Sequence, residues 1–290
     1  MDETFGIVIT GGTRGLGRAL AKEFLDRGAK VFITGNSRES VEKALLGLRE
    51  GRSGARISGG WGDSGSYADT EALLVQARAF LGRIDHYIAN AGVNQEPGRI
   101  WEVPASDMER VVRTDLLGPM FAAKATFPTL AESGGWFWVL EGHGSDGRLM
   151  SGLSVYGAAK RGVAYLWRAL ALEARRAAKG DSARKEPAGP RDSARPSAEN
   201  QPVKIGALSP GIMVTDFILQ NREKEGPEKW RRSARAFNIL ADRPETVAAF
   251  LAPRILAARR SGTRIAWLGT GKVLTRFLLA PFSKRRLVEA

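Results

Sequence analysis

The chain has 290 residues, 43% of them hydrophobic, enough to bury a sizeable core in one large α/β domain or two small ones. It has no cysteine and only two histidines, His86 and His143, which excludes disulfides, thiolate metal sites and a cysteine nucleophile; no metal site is expected. The formal net charge is +13, and nine Lys or Arg against one acidic residue from Arg254 onward contribute about +8 of it, the mark of a solvated basic face or of contact with an anionic surface.

In chain order, Met1-Asp2-Glu3 passes directly into the apolar stretch "FGIVIT", so no signal or transit peptide is expected before the first strand, Gly6 to Thr10. That strand runs into "TGGTRGLG", Thr10 to Gly17, and then into an amphipathic helix from Gly15 to Arg27. Glycines here let the backbone turn sharply and approach a pyrophosphate, while the helix N-terminus offers free N–H groups and the positive end of its dipole. Gly11, Thr13, Arg14, Gly15, Leu16 and Gly17 are therefore candidate dinucleotide-binding residues. The second strand, Lys30 to Thr34, ends in "FITGNSRES". No acidic residue follows until Glu39 to hold ribose hydroxyls, whereas Arg14 and Arg38 are at hand for a 2′-phosphate, which favours NADPH over NADH.

Further apolar runs predict strands over Ala55 to Gly59, His86 to Ala89, Trp136 to Leu140, Val203 to Leu208 and Arg264 to Leu268, with helices such as Asp69 to Leu81 and Gly157 to Ala178 between them. This alternation predicts an α/β fold of Rossmann type, a doubly wound, mostly parallel seven-stranded sheet with helices on both faces, in a single domain spanning residues 1–290. One segment breaks the pattern: Ala177 to Pro202 is rich in proline and poor in bulky apolar residues, and reads as a flexible surface insertion. No apolar run is long enough to span a bilayer. The C-terminal segment, about 270–290, carries "TRFLLAPFSKRR", whose mix of apolar and cationic side chains suits peripheral contact with a membrane surface. The basic residues are not interleaved with aromatics in any nucleic-acid motif, so nucleic acid is not an expected partner.

The stretch "EGHGSDGRLMSGLSVYGAAKRG", residues 141 to 162, sets Tyr156 and Lys160 four apart at a helix start, on one face. Hydride transfer to a carbonyl needs such a pair: charge grows on oxygen, and a proton must arrive. A tyrosine gives it when a nearby cation, here Lys160, pulls its pKa down from about 10. A hydroxyl donor such as serine orients the carbonyl oxygen.

Taken together these residues resemble the short-chain dehydrogenases/reductases: "TGGTRGLG", Asp63 after the third strand, "NAG" at Asn90 to Gly92 after the fourth, Tyr156 with Lys160, and "SPGIMVT" at Ser209 to Thr215. The resemblance implies that Asp63 lies near the adenine and that Asn90, Ala91 and Gly92 support the cofactor-binding strand. It also implies that Pro210, Gly211 and Thr215 lie at the nicotinamide, beside Tyr156 and Lys160, and that helices beginning near Asp107 and Tyr156 form a homo-oligomer interface.

A narrower likeness, through "GHGSDGR", "VYGAAKRGVAYL", "LSPGIMVTDFIL" and "FNILADRPETVAAFLAPRI", is to chlorophyll b reductases of the non-yellow-colouring type. Those enzymes reduce the 7-formyl group of chlorophyll b or chlorophyllide b at plastid membranes. It implies a plastid enzyme of chlorophyll breakdown with a small pigment substrate. The alternatives are a reductase of another bulky apolar aldehyde or ketone, chosen by the loop from Asp216 to Asn238, and a non-catalytic nucleotide-binding scaffold.

Two positions depart from the general pattern. The usual serine thirteen residues before the tyrosine is replaced by His143; Ser145, in the context shared with the narrower family, is assigned the carbonyl-orienting role, with His143 as an outside candidate. Asp115 stands where the family has an asparagine that helps hold a proton-relay water; an aspartate there also favours a charged Lys160.

Overall fold

The computed structural model describes residues 4–179, 201–214, 227–282 and 285–288. The strands are β1 (Gly6–Ile9), β2 (Lys30–Gly35), β3 (Ile57–Trp61), β4 (His86–Ala89), β5 (Trp136–Leu140), β6 (Lys204–Ser209) and β7 (Thr263–Ala266). The helices are α1 (Gly15–Leu25), α2 (Arg38–Arg49), α3 (Tyr67–Leu81), α4 (Ala105–Val112), α5 (Gly118–Ser133), α6 (Ser154–Ala177), α7 (Pro227–Leu240), α8 (Pro244–Ala257) and α9 (Thr270–Leu279). All seven described strands form one sheet in the order β3-β2-β1-β4-β5-β6-β7, and every neighbouring pair is parallel.

Parallel strands are buried on both faces, so they read as continuous apolar runs, and β1 and β4 are buried at every residue. Successive side chains alternate between the two faces. On β5, Trp136 and Trp138 pack with α1, α2 and α8, while Phe137 and Val139 pack with α3, α5 and α6. His86 on β4 lies within this core, where its Nδ1 accepts the indole N–H of Trp138 at 3.2 Å. Burial, helped by Lys204, holds its pKa down at about 3, so the ring is neutral.

The predicted strands and helices are present, with shifts at the edges. β3 runs to Trp61 rather than ending at Gly59, because Gly60 and Trp61 pair with Thr34 and Gly35 of β2. An edge strand needs ladder bonds more than apolar side chains, and "ISGGW" advertises few of the latter. The expected insertion at 177–202 begins inside the end of α6 and closes with Gln201, whose N–H meets the carbonyl of Ala131; its residues 180–200 lie outside the described residues. Of the expected substrate loop, residues 216–226 likewise lie outside them, while Pro227 to Asn238 is helical rather than loop.

The strand order reverses its direction of growth between β1 and β4, which opens a crevice beyond their carboxyl ends, the place where doubly wound sheets hold their ligands. At the other end of the chain, Arg276 and Arg285 both close on Asp242, at 2.7 and 2.8 Å, and pin the C-terminal segment to the start of α8. Leu274, Phe277, Leu278, Leu279 and Phe282 are left exposed on α9 and the turn after it.

Candidate active site

The turn after β1 is fastened to the end of β4. Thr10 Oγ1 accepts the N–H groups of Asn90 and Ala91 at 3.0 and 2.9 Å, and the Asn90 amide donates to the carbonyls of Thr10 and Gly11 at 2.8 and 3.2 Å. Gly11 and Gly15 have φ near +60°, and a Cβ on Gly17 would sit 2.3 Å from the Gly11 carbonyl oxygen, so the turn closes only with glycine. Helix α1 then opens with no side chain capping its first N–H groups and no acid in its first turn. That end is shaped for a phosphate.

Of the other sequence-predicted residues here, Leu16 buries its side chain in the core and offers only its backbone. Thr13 lays its methyl group beside Gly35, and Arg14 is exposed ahead of α1. Arg38, exposed at the start of α2, pairs with Glu42 at 2.6 Å and lies 5.7 Å over the Trp61 ring. Asp63 follows β3; it accepts the N–H of Gly65 at 2.8 Å and stands 3.4 Å from Arg113. Pro210 is buried after β6, Gly211 beside it has φ +73°, and Thr215 lies outside the described residues. The described members of this group sit at the carboxyl ends of the strands and leave backbone open where a dinucleotide diphosphate needs close approach. The residues fit that cofactor.

The catalytic candidates come together at the start of α6. Gln95, fully buried in the loop after β4, accepts the N–H groups of Val155 and Tyr156, each at 3.0 Å, and donates to the Gly152 carbonyl at 3.2 Å. One side chain thus satisfies two of the orphan donors at the helix start and fixes the backbone of Tyr156. Sequence reasoning missed this residue, because it acts through main-chain bonds across about sixty positions and belongs to no motif.

A turn of π-helix, Arg113–Leu117, carries Asp115 into the same site. Asp115 is fully buried; its Oδ1 accepts the Val93 N–H at 2.7 Å and its Oδ2 lies 2.9 Å from Lys160 Nζ. Gly92, between the two loops, has no side chain to keep it from this carboxylate. Lys160 is buried against it. Burial works against the charge on Lys160, but Asp115 and then Tyr156 outweigh it, and its pKa is raised.

The same carboxylate corrects one expectation. Lys160 was expected to pull the Tyr156 pKa down; instead burial raises it, Asp115 adds to the rise, and Lys160 only partly opposes them. Lys160 Nζ stands 5.6 Å from the centre of the tyrosine ring. Asp115 is thus a direct ion partner of the lysine.

The loop after β5 closes the site. Gly142 touches the tyrosine hydroxyl so nearly that a Cβ there would lie 2.5 Å from Oη. Ser145 is buried; it accepts the Gly142 N–H at 3.0 Å and gives its one proton to the Lys160 carbonyl at 3.1 Å. In this arrangement it braces the loop on α6, with its proton directed at the Lys160 carbonyl. His143 is half-buried, and its Nε2 is buried without a hydrogen-bond partner among the described residues. Glu141, also unforeseen, accepts from Trp167 at 3.2 Å and from Arg264 at 2.7 Å, and anchors the loop's base.

Comparison with known proteins shows the family. Residues 6–178 match the short chain dehydrogenase family. Among curated proteins, chlorophyll(ide) b reductase NOL, chloroplastic, of Arabidopsis thaliana is 32% identical over 267 residues, 91% of this chain and 68% of that protein. Probable chlorophyll(ide) b reductase NYC1, chloroplastic, of Oryza sativa subsp. japonica is 29% identical over 291 residues, 94% of this chain and 52% of that protein, so the chain spans about half of that relative's length. Among solved structures, levodione reductase superposes with a TM-score of 0.74 at 23% identity, covering 93% of this chain and 99% of that one. An actinorhodin polyketide ketoreductase solved with NADPH superposes at 0.73 and 22% identity, covering 92% and 96%.

Proposed function

The chain belongs to the short-chain dehydrogenase family, and from that premise we propose that it is an NADPH-dependent carbonyl reductase that converts the 7-formyl group of chlorophyll b or chlorophyllide b to hydroxymethyl. The observation that carries the reaction type is the cluster of half-buried Tyr156 with the buried pair Lys160 and Asp115 beside the glycine turn. The pigment rests on the likeness to chlorophyll(ide) b reductases over nine tenths of the chain. Apolar exposure supports it: Ile100, Trp101, Leu149 and Met150 stand out on the two loops that meet through the Gly98 to Gly152 hydrogen bond. A large flat hydrophobic substrate would cover them.

NADPH, when bound, supplies the hydride. Gly11, Thr13, Gly15, Leu16 and Gly17 would hold its diphosphate through backbone, Arg14 and Arg38 its 2′-phosphate, Asp63 its adenine side, and Pro210 and Gly211 its nicotinamide side, with Asn90 to Gly92 supporting the cofactor-binding strand. Tyr156 gives its hydroxyl proton to the carbonyl oxygen as charge gathers there. Lys160 stays cationic because Asp115 faces it, and its field stabilises the tyrosinate left behind. Gln95 and Gly142 fix where that hydroxyl points, and Ser145 holds the loop to α6.

The exposed apolar side chains of α9, beside a basic C-terminus, give the protein a means of resting on an anionic plastid membrane; no helix among the described residues is long and apolar enough to cross one. Met120 on α5 and Tyr165 and Leu172 on α6, all exposed, favour a homo-oligomer through those helices.

The test is incubation of purified protein with NADPH and chlorophyllide b, followed by absorbance and chromatography. The 7-hydroxymethyl product is expected. Consumption of NADPH with other bulky aldehydes but not with chlorophyllide b would keep the reductase and discard the pigment.

A further inference from the structure

We propose that His143, and not Ser145, donates the hydrogen bond that orients the substrate carbonyl beside Tyr156, an inference that rests on the reductase reading above. Three observations converge on it. First, the serine is committed elsewhere: its hydroxyl proton goes to the Lys160 carbonyl and its oxygen receives the Gly142 N–H. A hydroxyl has one proton to give, and in this arrangement it is directed at the backbone of α6 rather than into the site.

Second, His143 is bracketed onto the catalytic helix. Gly142 before it touches the Tyr156 hydroxyl, and a Cβ on Gly144 after it would lie 2.7 Å from Gly157 Cα. The residue between them therefore starts at the wall of the site, one residue from the proton donor. It also stands thirteen residues before Tyr156, where the family resemblance puts the carbonyl-orienting group.

Third, the imidazole tip is buried while the residue as a whole is only half-buried, and Nε2 finds no hydrogen-bond partner among the described residues. Buried polar atoms are almost always paired, so a group of this kind at a reaction site points to a ligand that completes it. A carbonyl oxygen is such a partner: Nε2–H donates to it and keeps its own proton, while Tyr156 transfers one. The hydride goes to the carbonyl carbon, the π electrons to the oxygen, and the tyrosine proton follows. The oxygen then sits between two donors, as developing negative charge requires.

Kinetics and a spectroscopic readout test this together. His143→Ala should lower kcat/KM for naphthaldehyde by about 100- to 1000-fold, the loss typical of one such donor, with NADPH affinity and thermal midpoint near wild type. His143→Ser, which restores a hydroxyl at that position, should recover most of the loss. Independently, the chain has only two histidines, and His86 is sealed in the core by Trp138. In 15N-histidine-labelled wild-type protein with oxidised NADP, adding naphthaldehyde should therefore shift one imidazole Nε2 and leave the other still.

An active wild type with an unimpaired His143→Ala, or a saturating aldehyde that moves neither imidazole, overturns the assignment. A wild type that reduces no aldehyde overturns the reductase reading instead, and the imidazole shift then decides the carbonyl contact by itself.

Discussion

The Asp115 carboxylate meets the Lys160 ammonium at 2.9 Å, with both side chains closed off from water. Either charge buried alone would be costly. The carboxylate keeps the lysine protonated and at the same time cancels part of the field the lysine would exert on Tyr156. The tyrosine therefore keeps its proton into alkaline solution.

Asp115→Asn lowers the pKa of both Tyr156 and Lys160, because the carboxylate raises each. The alkaline limb of kcat/KM for reduction should move to lower pH. A pH–rate profile of both proteins checks this, and an unmoved limb would remove Asp115 from the proton chemistry.

Tyr156→Phe keeps the ring and loses the proton. Turnover should fall at least 1000-fold, about the upper range for one acid–base group, with NADPH affinity by fluorescence titration unchanged. Wild-type rates in this variant would refute the donor assignment.

Gln95→Ala removes two acceptor contacts and one donor contact at the first turn of α6. The unpaired N–H groups should cost about 1–3 kcal/mol in urea unfolding. The misplaced tyrosine should reduce kcat more than NADPH affinity. Gln95→Glu, which keeps the acceptor next to a helix N-terminus, should restore most of the stability.

His86 has a folded pKa near 3, below its ordinary 6.5. Between those values the unfolded chain binds a proton that the folded chain refuses, so stability is unaffected above pH 6.5 and falls below it. The slope from this group approaches about 1.4 kcal/mol per pH unit toward pH 3. Urea midpoints at pH 7.5 and 5 for wild type and His86→Gln should differ, with the variant less sensitive to acid.

The proposed lipid contact would be carried by the exposed side chains of Leu274, Phe277, Leu278, Leu279 and Phe282. Wild-type protein should float with vesicles containing anionic lipid, and the double variant Leu278→Glu, Phe282→Glu should remain in solution. Equal flotation of the two would place any membrane contact elsewhere.

Much of the fold is legible in the sequence because parallel strands buried on both faces have to be apolar throughout, as "GIVI" and "WFWVL" are. β3 is less so, since an edge strand of glycine and serine is defined by its ladder to β2. The turn at Gly11 to Gly17 and the pair Tyr156 and Lys160 are legible because their chemistry depends on short spacings. Gln95, the π-helical turn under Asp115 and the engagement of Ser145 depend on contacts between distant segments. Spacing along the chain carries no trace of those.

The loop after β4 also bears on how the two ligands bind. Within six residues it ties Thr10 through Asn90 and Ala91, Asp115 through Val93, and the first turn of α6 through Gln95. The nucleotide-side turn and the proton donor are thus one mechanical unit. A first ligand that stiffens this loop meets the ordering cost that the second would otherwise bear, so each ligand should raise the affinity of the other by the same factor.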